Sequence, residues 1–89
     1  MYRALVRITL RPSILDPQGK AIERALHDLG QQAVTGVRTG KHIELAIQAD
    51  SADDAAAAAR TACSTLLANP VTEDFEILEV TPVQEAATA

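Results

Sequence analysis

Tryptophan is absent from this chain, and phenylalanine, tyrosine, methionine and cysteine occur once each. One cysteine excludes an internal disulfide framework and gives no sign of secretion. Without an aromatic pair there is nothing on which to stack two bases, which argues against an RNA-recognition domain. Long apolar runs are also missing: Arg3, Arg7 and Arg11 interrupt the N-terminal stretch. Neither a signal peptide nor a membrane span is expected, and the expected location is the cytoplasm. Large side chains are scarce even though 47% of the 89 residues are hydrophobic, because 17 of those residues are alanine. The content suffices for one globular domain, and a core so light in a small domain favours self-association or a partner.

What is present is unevenly charged. The net charge is −4, but residues 1–43 carry seven Lys/Arg against three Asp/Glu, and residues 44–89 carry one against nine. No like-charged block is long enough to read as a nucleic-acid tail, so the two halves are free to neutralise each other within one sheet.

The first element is plain. In "YRALVRITLR", Tyr2, Ala4, Val6, Ile8 and Leu10 alternate with Arg3, Leu5, Arg7, Thr9 and Arg11. Period two with β-branched residues predicts a strand, ended by Pro12. Asp16 is a candidate N-cap and Pro17 a first helical residue, where its missing N–H costs nothing. Ala21, Ile22, Ala25, Leu26 and Leu29 recur at helical spacing over about 17–29, and Gly30 suits the left-handed C-terminal position.

Residues 33–39 and 41–49 predict two strands joined by a tight turn at Gly40-Lys41, with Gly36 marking a bulge or a close approach. Asp50 or Ser51 should cap a second, alanine-rich helix that places Ala59, Cys63 and Leu66 on one face and stops at Asn69-Pro70. A last strand is expected over 74–80, and 81–89 reads as a flexible tail after a single domain, 1–80. The order predicts a ferredoxin-like βαββαβ sandwich: α+β, an antiparallel four-stranded sheet, both helices on one face.

Few residues carry candidate chemistry. Arg3, Arg7 and Arg11 share a strand face. They could line up for an anionic ligand, or pair across strands with Glu44 and with Glu76 or Glu79. His27 and His42 have no ligand-spaced companion, so no metal is expected. Ser13, Ser51 and Ser64 sit outside any nucleophile elbow, and Cys63 reads as a packing residue. No phosphate-binding glycine pattern occurs. In "DPQGK", a helix N-terminus with Lys20 could seat an anion, but the Asp16 carboxylate already occupies that end. Gly19 is then unexplained, because a helical glycine costs about 1 kcal/mol against alanine. A missing side chain there lets another backbone pack closely, which points to contact with a protein.

Three stretches together carry a family resemblance: Leu15-Asp16-Pro17-Gln18-Gly19, Arg38-Thr39-Gly40-Lys41, and Leu67-Ala68-Asn69-Pro70 with Glu73-Asp74. From Tyr2 to Val80 the chain resembles the small subunit (PurS) of phosphoribosylformylglycinamidine synthase, departing mildly at Arg11, where lysine is common, and at Phe75, where tyrosine is common. The resemblance implies a part in de novo purine biosynthesis. It implies a subunit with no chemistry or cofactor of its own, within an ATP- and glutamine-dependent amidotransferase. It would bridge the glutaminase and the large synthetase subunit, support ammonia transfer, and form a dimer or a dimer of dimers, with no nucleic-acid or membrane partner. The partner-binding residues it suggests are Asp16, Pro17, Gln18, Gly19, Lys20, Arg38, Gly40, Lys41, Asn69 and Pro70. An ACT-like module that binds a small molecule at a dimer interface has the same element order and is the alternative. An acylphosphatase-like enzyme has only Arg11 in its favour.

Overall fold

The structure, a computed structural model, describes residues 1–83. Five regular elements follow in the order β1 (Tyr2–Leu10), α1 (Pro17–Asp28), β2 (Gly40–Ile47), α2 (Ala52–Ala62) and β3 (Glu73–Pro82), with a π-helical turn, Cys63–Leu67, closing α2. β1 is central and antiparallel to both neighbours, giving the order β2-β1-β3. Alternation along β1 sends Ala4, Val6 and Ile8 into the core, at 0%, 0% and 1% exposure. Ile43, Leu45, Phe75 and Ile77 flank them on the same face.

The fold is α+β as expected, but the sheet has three strands rather than four. Residues 33–39 form no strand, and β2 starts at Gly40, where a turn was expected. Backbone groups near both ends of that segment are engaged elsewhere. The Val34 carbonyl accepts from the His27 ring at 2.6 Å, and the Thr39 N–H donates to the Asp16 carboxylate at 2.6 Å. Groups bonded in this way, to His27 of α1 and to its cap Asp16, are not free for a sheet ladder. Gly36 marks no close approach, since a Cβ there would meet nothing within 4 Å.

Nor do both helices cover one face. α2 packs across β3, β1 and β2, whereas α1 rests on no strand to a comparable extent. Of α1 only Gly19 is buried; Ile22 is 38% and Leu29 is 78% exposed. Its ends follow the sequence reading. Asp16 caps the start, Pro17 opens the first turn, and Gly30 takes a φ of +94°.

Ser51, rather than Asp50, caps α2 by accepting from the Asp54 N–H at 3.1 Å, and Asp53 and Asp54 lie at the positive end of the helix. Ala55, Ala59 and Cys63 form its buried stripe. The π-turn then changes the facing. The Ala68 N–H reaches back five residues to the Cys63 carbonyl at 3.0 Å. Leu67 therefore packs against the core, and Leu66, expected on the same face as Ala59 and Cys63, is 81% exposed.

β3 contains a bulge. Leu5 faces Glu79 and Val6 faces Ile77, so Leu78 has no opposite number. The extra residue restores the alternation: Asp74, Glu76 and Glu79 all lie on the sheet face away from α2, although 76 and 79 differ in parity. β3 runs to Pro82, two residues into the expected tail, and the remainder of that tail, 84–89, lies outside the described residues.

Candidate functional site

Arg3 and Arg7, on the helix-free face of β1, and Arg11, just beyond its end, are paired across strands. Arg3 meets Glu44 at 3.9 Å and Glu79 at 3.7 Å, Arg7 pairs with Glu76, and Arg11 meets Asp74 at 3.2 Å. The side chains are about half exposed, so each pair contributes roughly 0–1 kcal/mol. Their weight lies in fixing register and in placing guanidinium groups. The bulge lets both glutamates named in the sequence serve, where a regular strand would have offered one.

The two motif stretches, "DPQGK" and "RTGK", meet at Asp16. Its carboxylate accepts from the Gly19 N–H at 2.9 Å, from the Thr39 N–H at 2.6 Å and from the Thr39 hydroxyl at 2.9 and 3.0 Å. Asp16 is 3% exposed, and the bond from the Thr39 backbone, followed by that from Gly19, holds its carboxyl below the usual carboxylate range against the opposing effect of burial. Arg38 adds a favourable charge nearby. Sequence reading found the cap but not the second half of the clasp, because nothing local to Asp16 indicates that Thr39 will fold back onto it.

Gly19 is explained by the same geometry. A Cβ there would lie far inside van der Waals contact with the Val37 carbonyl oxygen and 2.8 Å from Asp16 Oδ2. The backbone that comes close is the chain's own, at residues 37–39. Clearance for a foreign chain is therefore not what this glycine supplies. Gly40 is similar, since a Cβ would stand 2.6 Å from the Ile8 carbonyl oxygen.

The remaining predicted residues fall at two places. Pro17, Gln18, Lys20, Arg38, Gly40 and Lys41 are exposed around the clasp. Arg38 Nη2 donates to the carbonyls of Leu10 and Arg11 at 3.4 and 2.9 Å, and Lys41 approaches Glu73 at 3.9 Å. Asn69 and Pro70 lie at the turn before β3. There the Asn69 Oδ1 accepts from the Val71 N–H at 2.9 Å, Glu73 accepts from the Asn69 N–H at 2.7 Å, and Arg11 donates to the Pro70 carbonyl at 2.7 Å. The turn presents Val71, 73% exposed.

Cys63 lies beneath this turn, fully buried, and burial pushes its thiol up from the ordinary value. Among the described residues no group of three or more His, Cys, Asp or Glu could hold a metal ion, and no helix is long and apolar enough to cross a membrane.

Fold and site define a class: a small α+β module in which a three-stranded sheet is backed by one helix, while a second helix is clasped at its N-terminus to the start of an edge strand. Comparison with known proteins makes the assignment specific. A sequence model of the PurS family, described as phosphoribosylformylglycinamidine (FGAM) synthase, matches residues 3–81. The PurS subunit of that synthase from Synechocystis sp. is 41% identical over 87 residues, covering 98% of this chain and 86% of that one. The crystal structure of PurS from Methanocaldococcus jannaschii superposes with a TM-score of 0.83 at 38% identity, covering 94% of this chain and all of that one. A chain in the structure of PurLQS from Thermotoga maritima is 33% identical, with a TM-score of 0.80 and coverage of 85% and 93%. This chain belongs to the PurS family, a subunit family of FGAM synthase in purine biosynthesis.

Proposed function

We propose that the chain is a non-catalytic subunit of its FGAM synthase that bridges the glutaminase and the large synthetase subunit and supports the passage of ammonia between them in the cytoplasm. One observation carries this reading: the chain matches, over most of its length, a chain in a solved PurLQS assembly. The site is consistent with it. Its best-connected carboxylate is committed to internal hydrogen bonds, and the exposed residues around it are suited to contact rather than to chemistry.

In this reading Asp16 and Gly19 shape the surface from within. Pro17, Gln18, Lys20, Arg38, Gly40 and Lys41 form one contact area, and Asn69 and Pro70 a second. The chain also self-associates, with the uncovered apolar stripe of α1 as the contact.

The test is reconstitution. Mixed with the two larger subunits, this chain should raise glutamine-dependent FGAM formation at least about tenfold, a 1.4 kcal/mol effect, and should turn over nothing alone. Full glutamine-dependent activity of the two larger subunits without it would refute the reading.

A further inference from the structure

We propose that the cleft between Arg7, Thr9, Arg38 and His42, on the sheet face that carries no helix, receives an acidic segment of a partner subunit; this rests on the reading that the chain docks onto the larger subunits of its synthase. The cleft measures about 430 Å³, and among the described residues no carboxylate lines it. Along most of this face cation and anion alternate, but the alternation stops here. β3 supplies Asp74, Glu76 and Glu79 to one side of the arginine row, while β2 supplies only Glu44, near the far end. Opposite Arg7 and Thr9, β2 offers His42 and Gly40 instead.

The donors are held in place before anything binds. Arg7 is steadied by Glu76, and Arg38 by the Leu10 and Arg11 carbonyls; among the described residues Arg38 forms no ion pair. A guanidinium has five N–H donors in a rigid fork, so both arginines keep donors free for a carboxylate. Their order reduces the entropy lost when it arrives.

The cleft is shallow and bordered by exposed side chains, so a small free anion would keep most of its water. A protein segment brings its own covering surface and excludes that water, which strengthens each charged hydrogen bond. The rest of the chain sharpens the choice. Elsewhere on this face the arginines already have carboxylate partners, so an acidic segment is accepted best at this end of the sheet, which sets its orientation.

The experiment measures assembly of the intact chain with the two larger subunits by sedimentation, at several salt concentrations. His42→Glu places a competing carboxylate in the cleft and removes no side-chain hydrogen bond among the described residues; Arg38→Gln removes a cation without an ion-pair partner among them. Each should weaken assembly by about tenfold or more and flatten its salt dependence, while Arg60→Glu, on α2, changes it less than about twofold. Assembly by His42→Glu as tight as by the unaltered chain would overturn the proposal, and so would equal weakening by Arg60→Glu. If the unaltered chain fails to assemble, the reading beneath it falls as well. Saturable binding of inorganic phosphate by the isolated chain below about 1 mM, followed through the Gly40 and His42 resonances, would reassign the cleft to a small free anion.

Discussion

Asp16 does three things with one carboxylate: it caps α1, it satisfies the Thr39 N–H, and it accepts the Thr39 hydroxyl. Because these bonds favour its charged form, its folded pKa lies below its unfolded one. Its contribution to stability is therefore complete above the unfolded value, about pH 4, and is lost as pH falls through the lower folded value. Urea unfolding followed from pH 7 to pH 2 should show a loss of stability in acid that is smaller in Asp16→Asn, which should already be less stable at pH 7. An unchanged acid limb would mean that other carboxylates govern it. Gly19 gives a sharper contrast. Alanine normally favours a helix over glycine, yet Gly19→Ala should cost about 1–3 kcal/mol, because the Val37 carbonyl must move. Gly36→Ala, with open space around it, should stay within about 1 kcal/mol. Denaturant midpoints of the two variants decide the matter. The sequence showed that Gly19 was anomalous; it could not show which backbone came near, because residues 19 and 37 are brought together only by the fold.

At the scale of elements, alternation and capping were legible, and competition between partners was not. β1, the start of α1 and the arginine–glutamate pairing follow from local pattern. The failed strand at 33–39 has adequate β character, but His27 and Asp16 engage its backbone at Val34 and Thr39. The π-turn and the Leu78 bulge each shift facing by one residue, and short-range periodicity carries no mark of either. α1 bears the clearest consequence. Its stripe repeats at Ile22, Leu26 and Leu29 but packs on no strand to the extent that α2 does, and a helix of 12 residues is marginal in water without packing. Ile22→Asp with Leu29→Asp should shift the sedimentation of the isolated chain toward the monomer at micromolar concentration. If the unaltered chain is monomeric there, the stripe has another occupant.

Taken whole, the molecule balances a basic first half against an acidic second half by laying β1 between β2 and β3. That arrangement was readable from charge order and strand order together. The family came from three motif stretches, and two of them turn out to be the two sides of one clasp. The geometry of that clasp has a further consequence. β1 ends and β2 begins side by side, with Thr9 opposite Gly40, so everything between them, α1 included, is topologically one long hairpin loop, cinched at its neck where Asp16 grips Thr39. A loop closed at its neck can lengthen, shorten or be replaced without disturbing the sheet that bears it. Homologues can thus vary the helix, and whatever the helix meets, while leaving β1, β2 and β3 in register.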